Sequence, residues 1–287
     1  MALSTKKITL APDASVDLHM HTTYSDGRWP AQQLIDYLTS EHFDLVAVTD
    51  HDRVDKVAEI QEMAEKQQLP VLAGVEMTTE WQGNLAHVLC YGFDPEQNAL
   101  AAVCEKVVRL QLENTYAVNA ELQRRGYSFP RQEEVLARSQ GQLVRPKDNS
   151  RLLIEHGYAA NDQIGVQMIR DAGFRTILAD TGEAVEATHR SGGVSLIAHP
   201  GRKESAFLFY DLPLLDRLFS LIPLDGIEVY HPYHSEESVA MYLNYVEKHG
   251  LLLSTGSDSH GSPARMPKKH RAAISRKLLE RLGVAIQ

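Results

Sequence analysis

Short apolar runs rich in β-branched residues alternate along this chain with segments of helical periodicity. Seven runs have the length and composition of buried strands: 16–21, 45–51, 71–77, 86–91, 194–199, 226–230 and 251–256. Helical segments such as 30–40 and 53–67 separate the early ones. Alternation of this kind is typical of a parallel sheet with crossover helices. The pattern therefore predicts an α/β fold, a distorted (β/α)7 barrel related to the (β/α)8 type.

Side chains that can bind metal ions cluster at the ends of these predicted strands. Nine of them stand out: His19, His21, Asp26, His51, Glu76, His87, His199, Asp258 and His260. Most lie at or just after a strand's carboxyl end, where barrels of this type have their active sites. His87 lies near the start of its strand and Asp26 lies beyond a turn, so these two depart from the rule.

The chemistry of this set narrows the kind of site. Imidazole and carboxylate together suit divalent zinc, manganese or iron, and a catalytic ion needs about three protein ligands and an open position. The nine side chains are too many for one ion and suit two or three. Any one of these histidines alone could be structural, and Asp26 alone could be a turn residue. Their joint occurrence predicts a multinuclear metallohydrolase.

Composition limits the partners of such an enzyme. The formal net charge of −9 disfavours a broad basic face for duplex nucleic acid. Three carboxylate ligands against three divalent ions would still leave a local charge of roughly +3, which suits a phosphate ester. No apolar run reaches the ~20 residues of a membrane helix, and the first eight residues lack the apolar stretch of a secretion signal. These features predict a cytoplasmic enzyme with no membrane partner.

The middle of the chain has a different pattern. Between residues 96 and 191, helical spacing replaces the strand-like runs, and no cluster of ligand-type residues occurs. The segment leaves after the fourth predicted strand and returns at the fifth. We expect a discontinuous barrel at 14–95 and 192–287, with 96–191 as a helical insertion that caps the active-site end.

The order of the motifs resembles that of the polymerase-and-histidinol-phosphatase (PHP) family. The motifs are H-x-H followed by S-D-G, T-D-H-D, G-V-E, a histidine eleven residues later, A-H-P-G and G-S-D-S-H. Each motif is weak alone, but the ordered set covers nearly the whole chain. The long helical insertion and A-H-P-G-R resemble the standalone branch of the family, which includes 3′,5′-nucleoside bisphosphate phosphatases and 5′–3′ exoribonucleases.

The resemblance implies a trinuclear metal centre with an assignment for each ligand. His19, His21, Glu76 and Asp258 would hold one ion. Glu76 would bridge to a second ion, which His87 and His199 also bind, and Asp26, His51 and His260 would hold a third. A metal-bridging hydroxide would then attack phosphorus in line, with no covalent phospho-enzyme.

Substrate-binding residues are expected around three further positions. Arg145 lies where related enzymes carry Arg-Pro-His, although this chain continues Pro146-Lys147-Asp148-Asn149, which departs from the family pattern. Arg202, after His199-Pro-Gly, can offer a forked donor to phosphate oxygens. Either arginine could equally form an ordinary surface ion pair. His231, at a strand end, is a candidate proton donor.

Together these observations predict a metal-dependent phosphoesterase. Its substrate would be a small phosphorylated molecule, a 3′,5′-nucleoside bisphosphate or a short single-stranded oligonucleotide with a 5′-phosphate. Histidinol phosphatase and cyclic-phosphate phosphodiesterase activities are alternatives within the family. A non-catalytic metal-binding module is the alternative from another class, and an amidohydrolase would also use an H-x-H barrel. The Ser25-Asp26-Gly27 and Gly256–His260 motifs point away from amidohydrolases.

Overall fold

The protein was analysed as a computed structural model that describes residues 8–203 and 207–287, without the Arg138 side chain. The strands are β1 (Thr9–Leu10), β2 (Ser15–Asp17), β3 (Leu45–Ala47), β4 (Val71–Leu72), β5 (Gly74–Trp81), β6 (Asn84–Tyr91), β7 (Ala179–Asp180), β8 (Val194–Ile197), β9 (Gly226–Tyr230), β10 (Leu252–Thr255), β11 (His270–Arg271) and β12 (Ala285–Ile286). The helices are α1 (Ala31–Ser40), α2 (Val57–Glu65), α3 (Leu100–Arg124), α4 (Gln132–Val135), α5 (Lys147–Glu155), α6 (Asp162–Asp171), α7 (Thr181–Arg190), α8 (Leu212–Leu221), α9 (Glu236–His249) and α10 (Arg276–Arg281).

Local sequence signals explain where several helices begin and end. The side chains of Asp180, Asp211 and Ser235 accept a hydrogen bond from the backbone N–H three residues later, at the starts of α7, α8 and α9. Such caps satisfy N–H groups that have no partner within the helix. Gly250, with a φ of 67°, ends α9 in the left-handed conformation that glycine adopts readily.

Two sheets carry the motifs. One has the order β10-β9-β8-β6-β5-β7 and the other β11-β2-β3-β4, while β1 pairs with β12. Most neighbours are parallel, which confirms the expected α/β class. Single backbone hydrogen bonds link the two sheets, from Glu76 N–H to Thr49 and from Leu18 N–H to Thr255. These bonds are not a continuous ladder, so closure into a barrel stays a prediction.

The predicted strand at 71–77 is two strands in the structure. β4 pairs with β3 in one sheet, and β5 pairs with β6 in the other, so the chain changes sheet between Leu72 and Gly74. A Cβ atom at Gly74 would lie 3.0 Å from the Thr49 side chain and 3.3 Å from Tyr91. Glycine at this position therefore lets the backbone pass close to its neighbours.

Strand β6 departs from the expected parallel arrangement. It is antiparallel to both β5 and β8. The two-residue turn Gln82-Gly83 has a positive φ at both residues, 53° and 78°, as tight hairpins require. Because β6 runs in the opposite direction, its beginning lies at the same edge of the sheet as the carboxyl ends of β8 and β9. This direction explains why His87 lies near the other candidate ligands although it is close to the start of its strand.

The chain divides into two compact units. Among the described residues, one contains those up to Cys104 together with those from Ala179 to Gln287, and the other is Glu105–Leu178. The first unit holds both motif-bearing sheets, and some of its strands, such as β8, are buried along their whole length. The predicted insertion limits of 96–191 and its role as a cap stay predictions.

The second unit is helical and has its own apolar core. Its buried members include Leu122, Phe129, Leu143, Leu152 and Ile169. Within this unit the buried Asn149 side chain donates to the Thr115 carbonyl and accepts from Asn119. None of the helices in residues 8–203 and 207–287 is long and apolar enough to cross a membrane. Seven of the eight amino-terminal residues on which the expected absence of a secretion signal rests lie outside the described part. The cytoplasmic location stays a prediction.

Candidate metal centre

One buried carboxylate, that of Glu76, lies at the centre of the predicted ligand set. Glu76 is the third residue of β5, and its side chain is 1% exposed. Its Oε2 atom lies 3.0 Å from His19 Nε2, 3.1 Å from His21 Nε2 and 3.4 Å from His51 Nε2. His19 and His21 follow β2 and point to the same side, as their spacing of two predicts. This half of the centre joins the two sheets through one carboxylate oxygen.

The other oxygen of Glu76 faces two more histidines. Oε1 lies 2.9 Å from His87 Nδ1 on β6 and 2.9 Å from His199 Nε2 after β8. Burial alone would raise the pKa of the Glu76 carboxyl, but the imidazoles of His19, His51 and His87 hold it well below the usual range. Glu76 is therefore ionised and bridges two sets of nitrogen ligands.

Asp258 is the second central carboxylate, and its two oxygens face different groups. Oδ1 lies 3.1 Å from His21 Nε2 and 3.6 Å from His260 Nδ1, among the ligand-type residues. Oδ2 lies 3.2 Å from His231 Nε2 and 3.5 Å from Arg202 Nη1. The carboxylate thus separates a metal-ligand side from a side that offers proton donors.

Two of the candidate ligands have an uncommon backbone conformation. His199 and Asp258 have positive φ angles of 30° and 49°, a conformation that non-glycine residues rarely adopt. Such conformations cost on the order of 1–3 kcal/mol and persist where the surrounding structure imposes them, often at functional sites. At His199 and Asp258 this conformation belongs to the loops that carry the candidate ligands.

Asp26 and His260 form a more exposed edge of the cluster. His260 Nε2 lies 3.1 Å from Asp26 Oδ2, and the Asp26 side chain is 56% exposed. Asp26 Oδ1 lies 3.7 Å from His21 Nδ1. All nine predicted ligands are therefore brought into one region of the first unit.

Three groups of these side chains could hold an ion, because their ligand atoms lie within 4.8 Å of one another. They are His19, His21, Glu76 and Asp258; His21, Asp26 and His260; and His51, Glu76 and His87. The first is the set that the family resemblance implies. In the other two, His21 stands where His51 was expected and His51 stands where His199 was expected. The assignment of each ligand to an ion stays a prediction.

The donor set fits divalent ions. Each group combines imidazole nitrogen atoms with carboxylate oxygen atoms. Zinc, manganese and iron bind donors of both kinds. His21 Nδ1 is buried and has no hydrogen-bond partner within residues 8–203 and 207–287. Buried polar atoms rarely lack a partner. This nitrogen is therefore placed to bind an ion together with Asp26 and His260.

Two groups that sequence analysis missed hold the ligands in place. The buried Glu228 lies on β9, with Oε1 2.8 Å from His19 Nδ1, and its Oε2 accepts from His199 N–H at 2.7 Å. Thr78 Oγ1 lies 3.1 Å from His51 Nδ1. Carboxylates commonly orient metal-binding histidines in this way. The signal for Glu228 was present in the sequence, as a charged residue within an apolar strand.

Asp50 and Asp52, on either side of His51, accept hydrogen bonds from neighbouring segments and not from the His51 ring. Asp50 accepts from Thr22 N–H at 2.7 Å and from Ser25 Oγ at 2.6 Å, which fixes the loop that leads to Asp26. Asp52 accepts from Thr78 N–H at 2.8 Å. Burial raises the pKa of the Asp52 carboxyl to about 6.

The predicted substrate residues lie in different units. Arg202 and His231 lie beside Asp258 in the first unit. Arg145 lies in the helical unit, 67% exposed, with Nε 3.2 Å from Asp148 Oδ1. There it lines a cavity of about 320 Å³ together with Lys147 and Arg151. Asp148, which belongs to the segment that departs from the family pattern, thus forms an ion pair with Arg145.

Comparison with known proteins agrees with the geometry. The PHP domain profile matches residues 17–189, so the chain belongs to the PHP domain family. A 3′,5′-nucleoside bisphosphate phosphatase of Chromobacterium violaceum is 30% identical over 261 residues, covering 86% of this chain and 87% of that protein. A 5′-3′ exoribonuclease of Haemophilus influenzae is 25% identical over 248 residues, covering 85% and 89%.

Solved structures support the fold. A proposed metal-dependent phosphoesterase of Bifidobacterium adolescentis has a TM-score of 0.70 and 24% identity, covering 97% of this chain and 99% of its own. The family match, the named relatives and the ligand cluster together confirm that this chain is a metal-dependent phosphoesterase. The alternative of a non-catalytic module is thereby set aside.

Proposed function

We propose that this enzyme hydrolyses a phosphate ester of a small nucleotide, a 3′,5′-nucleoside bisphosphate or a short 5′-phosphorylated oligonucleotide. The observation that carries the proposal is the two-sided Asp258 carboxylate, with ligand-type histidines on Oδ1 and the donors His231 and Arg202 on Oδ2. A phosphate bound there would meet ions on one side and donors on the other. The names of the two relatives reported above support a nucleotide substrate.

Two to three divalent ions, manganese, zinc or iron, would be held by the nine ligand residues. When bound, such ions lower the pKa of water towards 7 and polarise phosphoryl oxygens. Glu76, with one oxygen facing His19 and the other facing His199, is placed to keep two ions close together. Glu228 and Thr78 would keep the histidine rings in orientation.

His231 is proposed as the proton donor to the leaving oxygen. Tyr233 N–H donates to His231 Nδ1 at 3.1 Å, so the neutral ring carries its proton on Nε2. That nitrogen faces Asp258 Oδ2 at 3.2 Å. A substrate whose leaving oxygen took the place of this contact would receive the Nε2 proton.

Arg202 is proposed to bind phosphate. Its guanidinium carbon lies 4.1 Å from the Phe207 ring centroid and 5.5 Å from that of Tyr233. Packing on aromatic faces restricts the side chain before substrate arrives, which reduces the entropy lost on binding. The predicted phosphate-binding role of Arg145, in the helical unit, stays a prediction.

A substrate panel tests the proposal. The metal-loaded protein should hydrolyse adenosine 3′,5′-bisphosphate or 5′-phosphorylated dinucleotides faster than histidinol phosphate or cyclic phosphates. In ¹⁸O-labelled water, one label should enter each phosphate released from the bisphosphate. Preference for histidinol phosphate or a cyclic phosphate would replace the nucleotide substrate with that alternative. Rapid cleavage of an amide with no phosphate release would contradict the proposal as a whole.

A further inference from the structure

We propose that Arg265 is a second phosphate-binding arginine of this active site, acting with Arg202 on the phosphoryl oxygens of the substrate. Arg265 lies in the segment after the Gly256–His260 motif, outside every motif that the sequence analysis singled out. The inference rests on the proposed function, because it identifies a further substrate contact of that same site.

The position of the guanidinium carries the inference. Arg265 Nη2 contacts Asp258 Oδ2, the same oxygen that Arg202 and His231 approach. Its guanidinium carbon lies 5.8 Å from the Tyr233 ring centroid, compared with 5.5 Å for Arg202. The guanidinium groups of Arg202 and Arg265 therefore both lie beside the Tyr233 ring and Asp258 Oδ2.

The net charge around Asp258 Oδ2 favours binding of an anion. The Asp258 carboxylate and the two arginines carry a formal sum of +1, before any ion is bound at Oδ1. A guanidinium has five N–H donors in a fork that matches phosphate. The Arg265 side chain is 20% exposed, while its Nε and Nη2 atoms are buried and form no hydrogen bond within residues 8–203 and 207–287, so the guanidinium is largely shielded from water. Partial shielding strengthens an ionic hydrogen bond compared with one at a fully exposed arginine.

The backbone of Arg265 has a separate, structural task. Its carbonyl accepts from His260 N–H at 3.1 Å and from Ser259 Oγ at 2.8 Å, and its N–H donates to Ser262 at 2.8 Å. Each of these bonds uses main-chain atoms of Arg265. Replacement of the side chain by alanine leaves these atoms in place, so R265A should keep the loop that carries Asp258 and His260.

The variants R265A, R265K and R202A, with R190A as a matched control, test the inference. Arg190 is an exposed arginine of the same unit, 4.0 Å from Glu186. Each metal-loaded protein is titrated with inorganic phosphate by calorimetry, and its metal content is measured in parallel. We expect R265A to weaken phosphate binding by about 10- to 100-fold, as loss of a charge-assisted hydrogen bond does, with unchanged metal content. R265K should recover part of the loss, and R190A should match the wild type.

Kinetics with phenyl phosphate and its methyl diester give a second readout. The monoester dianion carries one more charge than the diester, so R265A should lower kcat/KM more for the monoester. Unchanged phosphate affinity in R265A would overturn the inference. A loss that follows lost metal would also overturn it, because Arg265 would then only position Asp258. If the wild type binds phosphate through Arg265 yet hydrolyses no nucleotide, the proposed substrate fails and this inference stands.

Discussion

The ligand cluster has a buried centre and an exposed edge, and the two are built differently. Around Glu76, the side chains of His19, His21 and His199 are at most 2% exposed, and they belong to strands or to residues that directly follow strands. At the edge, Asp26 is 56% exposed and comes from a loop held by Asp50. The centre is thus fixed by sheet packing, whereas the edge depends on local loop contacts.

This difference implies unequal metal affinities. Ligands that are already held by partners lose little freedom on binding an ion, as with His19, which lies against Glu228. Asp26 is exposed to water and must be restrained each time an ion binds. We therefore expect the buried centre to retain its ions when the edge has lost its own.

Removal of the bridging carboxylate should have the largest effect. Glu76→Ala should lower metal content by about two ions and reduce turnover well beyond the ~100-fold that loss of a supporting residue can cost. Glu80→Ala, an exposed glutamate on the same strand, is the control. Elemental analysis and turnover measure both effects. Wild-type metal content in Glu76→Ala would contradict the bridging role.

Truncation at the edge should be milder. Asp26→Ala should lose about one ion and retain the others, with turnover reduced on the order of 100-fold or less. Asp36→Ala, at an exposed aspartate of α1, controls for loss of surface charge. The comparison of centre and edge breaks down if Asp26→Ala releases as much metal as Glu76→Ala does.

Loss of support for the buried histidines should come next. Glu228→Gln keeps the size of the side chain but removes the charge beside His19 Nδ1, so metal affinity should fall by about 10-fold, the lower end for such residues. The exposed Glu237→Gln is the control. A competition titration with a chelating dye measures the affinity. Equal affinities in Glu228→Gln and wild type would show that sheet packing alone holds the ring.

Metal loading should also depend on pH, with no change in the protein itself. Burial would lower the pKa of His21, but hydrogen bonds with Asp258 and Glu76 outweigh it and raise the pKa to about 9 in the metal-free protein. Below that pH an ion must displace the His21 proton, so affinity should rise about tenfold per pH unit up to about pH 9. Calorimetry in two buffers of different ionisation enthalpy counts the released protons. Release of no proton at pH 7 would contradict this account.

Most of the nine candidate ligand positions could be predicted because they follow from local rules. Side chains two apart on a strand share a face, and most of the ligands lie where parallel strands end. His87 needed more, since the direction of β6 depends on the tight turn at Gln82-Gly83 and on pairing with β8. The division of 71–77 into two strands likewise follows from a change of sheet, which the apolar run does not reveal.

The sequence by itself determined the donor chemistry, the α/β class and the family, because residue types and their order are sufficient for these. Only the tertiary structure decided which groups support or face that chemistry. Glu228 lies 209 residues from His19. Arg265 and Arg202 meet at Asp258 Oδ2, and both lie beside the Tyr233 ring. Such contacts join distant segments through packing of the sheets and loops, and no periodicity along the chain records them.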